Sequence, residues 1–284
     1  MNPALHAARL GLARGWIEFK HSLLNPQDLG FTIFSSVALV VVLYFQRDAT
    51  VPGTTISLAS VTLPSMLGML AAFNGLIGAV GLISVEREDG TLLRAKALPQ
   101  GMIGYLVGRI VLLAAQAAGS LVIVLVPGLF LVPELTRGGP GGWVIMIGIL
   151  ALALLATLPL GAVIGSLANS PTTAAGFSML TIGGLIAISG IFYPFSALAG
   201  WLQVVGQVFP LYWLGLGMRS AFLPDSAAAL EIGGSWRPVE TVLVLLAWTA
   251  AGLLLAPPIL RRMARREAGS LMQERRDRAM QRIS

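Results

Sequence analysis

The densest group of side chains able to do chemistry is Glu86, Arg87, Glu88 and Asp89, followed by Gly90, Thr91, Leu92, Arg94 and Lys96. Carboxylates and guanidinium groups interleaved in this way pair ions and bind charged protein surfaces. Bond-making chemistry needs more: an activated nucleophile, a set of metal ligands or a phosphate cradle. The 284-residue chain holds no cysteine, which removes thiolate nucleophiles, zinc–thiolate sites and iron–sulfur clusters. Its two histidines, His6 and His21, precede the first long apolar stretch. No G-x-x-x-x-G-K-[ST] loop occurs, so the chain has no P-loop grip on ATP. The mixed-charge run reads as a docking surface for another protein; the plainer alternative is a polar loop that only turns the chain.

The polar residues inside the apolar stretches are few and neutral: Ser35, Ser36, Asn74, Gln116, Thr157, Ser166 and Ser178. Groups of this kind commonly hydrogen-bond one membrane helix to another. Asn74 is the best candidate for something more, because it sits near the middle of its stretch beside Phe73. No stretch carries a central Asp, Glu, Lys or Arg, and Arg109 and Glu240 fall at stretch ends, so no buried charge is expected to line a path. Phe34, Phe73 and Phe177, with Met66 and Met69, offer polarizable apolar surface instead. Asn74, Phe73, Phe34 and Phe177 are therefore the candidate substrate-path residues, and packing or lipid contact is the alternative for each.

The elements that position these groups follow from composition. Hydrophobic residues make up 56% of the chain and charged residues 11%, against about 25% charged in soluble domains. Six apolar stretches stand out, near Leu29–Gln46, Val61–Val85, Ile110–Val132, Trp143–Ala168, Ala174–Tyr193 and Thr241–Ile259. Their lengths suit membrane-spanning helices, not barrel strands. The expected fold is therefore all-α and membrane-embedded, with residues 1–28 as an N-terminal helix, 29–260 as a six-helix transmembrane domain and 261–284 as a basic tail continuing the last helix.

Charge gives an orientation. With the N-terminus inside, the inner segments hold Arg9, Arg14, Lys20, Arg87, Arg94, Lys96, Arg109 and eight arginines from Arg261 to Arg282, fifteen in all. The outer segments hold four: Arg47, Arg137, Arg219 and Arg237. This is a strong positive-inside bias, so both termini are expected in the cytoplasm. The N-terminal stretch lacks the uninterrupted apolar core of a signal peptide. Leu5, Ala8, Leu12, Trp16, Phe19 and Leu23 recur at helical spacing, the pattern of a helix lying in the membrane interface. Between the fifth and sixth stretches, LAGWLQVVGQVF and LYWLGLGMRSAF are too short to span and too apolar for an aqueous loop. They are expected to form short interfacial or re-entrant helices.

Two motifs carry a family resemblance. Glu86-Arg87-Glu88-Asp89-Gly90-Thr91-Leu92, then Pro99 and Gly108-Arg109, resembles the E-R-E-x-G-T-L…P…G-K/R segment of ABC-2 transporter permeases. Ser189-Gly190-Ile191-Phe192-Tyr193-Pro194, then Pro210-Leu211-Tyr212 and Arg219, resembles the segment that follows the fifth span in that family. The overall pattern is similar to daunorubicin-resistance-like exporter subunits of the bacterial plasma membrane. The resemblance implies a dimer, with a second copy or a sister permease, driven by separate ATPase subunits that hold ATP and Mg. It implies ATPase contact through Trp16 on the N-terminal helix and through Glu86–Leu92 and Arg94. It places Pro194, Pro210, Tyr212 and Arg219 at the outer mouth. The expected cargo is a hydrophobic or amphipathic drug, antibiotic or lipid. The chain itself would be no enzyme, bind no cofactor and have no nucleic-acid partner. A nucleotide-independent carrier or a membrane scaffold is the alternative reading.

Overall fold

The computed structural model describes residues 2–88, 91, 94, 95, 98, 100–133, 135, 139–167 and 170–281. The described residues form helices without strands: α1 (Pro3–Ser22), α2 (Pro26–Gln46), α3 (Leu58–Glu88), α4 (Gly101–Leu131), α5 (Gly139–Leu167), α6 (Pro171–Ala187), α7 (Gly200–Val208), α8 (Pro210–Phe222) and α9 (Pro238–Gln281). Starts are written in the local sequence. Asn2, Asn25 and Ser170 each precede a proline and each accepts a hydrogen bond from a backbone N–H of the first turn. An Asn or Ser cap with Pro at the first helical position satisfies one orphan donor and presets φ.

Among the described residues, five helices are long and apolar enough to cross a membrane: α2, α3, α4, α5 and the Pro238–Leu260 part of α9. The fifth expected span is shorter than the sequence implied. Hydrophobicity continues from Ala174 to Tyr193, but α6 has 17 residues and stops at Ala187, a rise of about 25 Å against a hydrocarbon layer of about 30 Å. Gly190 causes the difference: it takes φ +67°, and the ring of Phe195 packs where its Cβ would stand. A side chain at that position would have to be left-handed and would collide.

Helix α3 is the axis of the bundle. Of its apolar window 61% is buried, against 11% for α2. It packs on α4, α5, α6 and α8, while α9 packs on α5 and α8. Small residues permit the close approach. Gly161 and Gly165 of α5 lie against the backbone of Leu76 and Val80, and Gly75 lies against Thr157. The G-x-x-x-G pair therefore works within this chain, seating α5 on α3. Helices α7 and α8 are separate, as their prolines and length implied. The longer, α8, is buried almost throughout, between α3, α5 and α9. The last helix runs unbroken from Pro238 to Gln281, so the basic tail continues the span.

Candidate functional site: ionic clusters at the two ends of the bundle

At one end, α1 lies lengthwise on the first half of α4. Gly11 packs on the carbonyl of Gly104 and Gly15 on that of Gly108, and any Cβ on either α1 glycine would strike those oxygens. Two G-x-x-x-G faces thus form the seam. The expected apolar face of α1 is not the one that meets the protein: Leu5, Leu12, Trp16 and Leu23 are exposed, whereas Gly11 and Gly15 are buried. Leucines turned outward on a membrane helix suit lipid, and glycines suit a neighbouring backbone.

The seam brings charges together. The Glu18 carboxylate of α1 accepts from Arg14 Nε at 2.7 Å and pairs with Arg109 of α4 through its other oxygen. Arg109 also pairs with Glu86, near the end of α3, and the Tyr105 hydroxyl donates to the same Glu86 carboxylate. Glu86 is buried, with 5% of its side chain exposed. Its charge is tolerated because it is shared with a guanidinium and a phenol; a lone buried carboxylate would cost several kcal/mol or more. Three helices therefore meet on one guanidinium.

Beside this cluster runs the mixed-charge segment. Ala95 is buried with Tyr105, and Ile83, Met102 and Leu260 pack around the pair. Arg94 is exposed, and its guanidinium donates to Thr91 Oγ1 at 3.4 Å. Gln100 takes φ 55° where the segment turns into α4. Asp89, Gly90 and Leu92 lie outside the described residues, as do the Arg87 and Glu88 side chains. Trp16 is half exposed, and its ring lies tilted against that of Phe19, with centroids 5.5 Å apart.

The second cluster lies at the opposite end. Ser65 and Glu86 are 21 positions apart on α3, about 31 Å along a helix. Arg219 of α8 is 1% exposed. Its Nε and one terminal nitrogen hold the two oxygens of Glu231 at 2.7 and 3.1 Å, and its other terminal nitrogen donates to Ser65 Oγ at 2.7 Å. Thr62 Oγ1, one turn further along α3, is buried without a hydrogen-bond partner. It borders a cavity of about 20 Å³ that Arg219, Glu231 and Pro194 also line. Arg237 stands next door, its guanidinium 4.8 Å from the Trp213 ring centroid, bonded to Gln207 Oε1 at 2.8 Å and to the Tyr212 hydroxyl. Pro210 opens α8, and Phe195 lies on Tyr212 at 4.1 Å.

The expectation concerned charges inside the apolar stretches, and these buried pairs reach the bundle by another route. Arg219 and Glu231 are not in spans, yet α8 carries Arg219 into the bundle beside α3. The remaining candidates are placed as follows. Asn74 Nδ2 donates to Leu70 O at 2.8 Å and to Ser120 Oγ at 2.9 Å, so it joins α3 to α4. Phe73 packs with Leu76, Val80, Ala174 and Ile182, between α3 and α6. Phe34 and Phe177 are exposed on α2 and α6, at 75% and 58%. The 20 Å³ cavity includes none of the four. Sequence reasoning did not single out Glu18, Tyr105, Ser65, Glu231 or Arg237. The spacings Gly11-x-x-x-Gly15 and Gly104-x-x-x-Gly108 were the available signal for the seam that brings Glu18 to Arg109.

A comparison with curated proteins finds no match to this chain. A family model, that of the ABC-2 type transporter, matches residues 11–223. The matched region opens at the glycine that seats α1 on α4 and closes just past α8, so it contains the Glu18–Arg109–Glu86 cluster and Arg219 with Ser65. The match covers most of the chain, and the chain belongs to the ABC-2 type transporter family.

Proposed function

We propose that this permease subunit is the membrane half of an ATP-driven exporter for hydrophobic or amphipathic compounds. In this reading it works as a dimer with a second copy or a sister chain, in a bacterial plasma membrane. ATP and Mg belong to a separate ATPase subunit, which docks on α1 and on the segment that includes Thr91 and Arg94. The observation that carries the reading is the shared guanidinium of Arg109. A push on the docking segment reaches the end of α3 and the start of α4, and Glu18–Arg109–Glu86 ties both to α1. These elements then move as one unit. Glu86, being buried, acts as a positioning residue for that unit and does not touch the partner itself.

Arg109→Gln tests this directly. The change keeps a hydrogen-bonding side chain but removes the charge that two carboxylates share. Assembly with the ATPase and basal hydrolysis should persist, while drug efflux per ATP falls at least about tenfold, the scale of a coupling free energy of about 1.4 kcal/mol. Efflux at the wild-type ratio of transport to hydrolysis would remove the cluster from the mechanism.

The orientation proposed has both termini in the cytoplasm. Because the chain has no native cysteine, single cysteines report without background. Thr50→Cys should react with an impermeant reagent in intact cells, and Ser270→Cys only after the membrane is opened. Outside labelling of Ser270→Cys would reverse the orientation.

A further inference from the structure

Helix α2 is the least buried of the spans, and it leaves a groove against α4. Val40, Val41, Tyr44, Pro127, Phe130 and Leu131 line it, around a volume of about 400 Å³. That lies in the lower part of the range of roughly 300–1,000 Å³ found for small-molecule sites. Its walls are apolar except for the Tyr44 phenol. Phe130 is 82% exposed and Tyr44 47%, so the groove opens sideways, toward whatever surrounds the bundle.

The end of the groove is not apolar. Arg47 lies over the Tyr44 ring, its guanidinium 4.2 Å from the centroid. Its Nε is held by Asp48 Oδ2 at 3.1 Å. The guanidinium also hydrogen-bonds with Tyr44, but 41% of the Arg47 side chain and 85% of the Asp48 side chain remain exposed. One positive and one negative group therefore stand together beside Tyr44, where an apolar slot begins. Tail and head of a zwitterionic phospholipid have this same order of chemistry.

We infer that the α2–α4 groove is a binding site for one phospholipid with a phosphate and a protonated amine in its headgroup. An acyl chain lies along Val40, Val41, Pro127, Phe130 and Leu131. The phosphate takes the exposed side of the Arg47 guanidinium, a charge-assisted contact, and the amine pairs with Asp48. The lipid fills a gap that protein packing leaves, and it holds α2 to the bundle. This site is separate from the two ionic clusters and does not depend on the cargo proposed above.

The test uses the full chain in lipid nanodiscs doped with phosphatidylethanolamine or phosphatidylglycerol, each carrying a photoreactive acyl chain, with labelled peptides read by mass spectrometry. The ethanolamine lipid should label α2 and α4 peptides around Val41 and Phe130 in preference to the glycerol lipid. Arg47→Gln with Asp48→Asn should abolish that preference, a change of at least about tenfold in relative labelling for the loss of a charge-assisted contact. Val41→Trp should cut labelling by both lipids, whereas Leu243→Trp on the exposed face of α9 should not. Both tryptophans occupy exposed positions, so folding is not at stake. Equal labelling by the two lipids in the unaltered chain, or labelling indifferent to Val41→Trp, would overturn the site. So would efficient disulfide formation between two copies through Val41→Cys, which would show a second copy covering the groove.

Discussion

Replacing Arg219 by leucine will destabilise the bundle by about 3–5 kcal/mol, the usual cost of removing one partner of a buried ion pair. The size of the effect comes from what remains. Glu231 would keep a carboxylate that is 9% exposed and would lose both contacts to Arg219, and Ser65 would lose its donor. Glu231→Leu should cost a similar amount for the mirror reason. Ser65→Ala removes one neutral partner of a charged donor and should cost about 1.5–3 kcal/mol at most. The double substitution Arg219→Met with Glu231→Leu should recover most of the loss, because apolar groups of similar volume need no partner there. Thermal unfolding of the detergent-solubilised chain, followed by loss of monodispersity, reads all four variants. Arg219→Leu melting with the unaltered chain would show that the buried pair contributes nothing to holding α8 in place.

The second large effect is expected at the α1–α4 seam. Gly15→Val puts branched carbon where the Gly108 carbonyl and the Val111 side chain already stand. The seam cannot absorb it by rotating a side chain, because the obstacle is backbone. Overpacking of this kind costs about 1–3 kcal/mol or more, and here the escape route is to lift α1 off α4. Glu18 then leaves Arg109. Backbone amides of α1 should exchange with solvent about ten- to a hundredfold faster, as expected when local opening becomes that much easier. The spanning helices should insert and melt nearly as before, while efflux per ATP falls as it does for Arg109→Gln. Unchanged exchange in α1 would mean that the seam tolerates a side chain and that the glycines are not what holds it.

Much of this architecture was legible in the residues, and the physical reasons for the rest are specific. Apolar length implied six spanning helices, five of which are long enough to cross, and it set apart the short helices after Gly190. Local chemistry gave the starts at Asn2, Asn25 and Ser170. What hydrophobicity could not give was the end of α6, because the chain stays largely apolar to Tyr193 although the helix stops at Ala187 and Gly190 takes a positive φ. Nor could periodicity identify the face of α1 that meets the protein. In water, a stripe of leucines marks the core; in a bilayer it marks lipid, and the contact falls to glycines. The ionic clusters were hidden for another reason. Glu18 lies 91 positions from Arg109, and Ser65 lies 154 from Arg219, so no local pattern joins them. Arg109 at a span end was expected to reach water; instead the glycine seam delivers a carboxylate to it. Asn74 shows the opposite case, since its partner Ser120 on α4 makes it the ordinary helix-to-helix bond that neutral polar groups in spans most often form.

In the proposed function, this chain converts ATP hydrolysis by a partner into outward movement of an apolar cargo, and Arg109 carries the conversion. The most direct measurement is transport in vesicles reconstituted with the chain and its ATPase, comparing the unaltered protein with Arg109→Gln. A lipophilic dye should move only when ATP, the ATPase and this chain are all present, and Arg109→Gln should hydrolyse ATP while moving little dye. ATP-independent movement by the chain alone would contradict the claim. So would transport of a charged, membrane-impermeant solute in place of the dye, or full transport by Arg109→Gln.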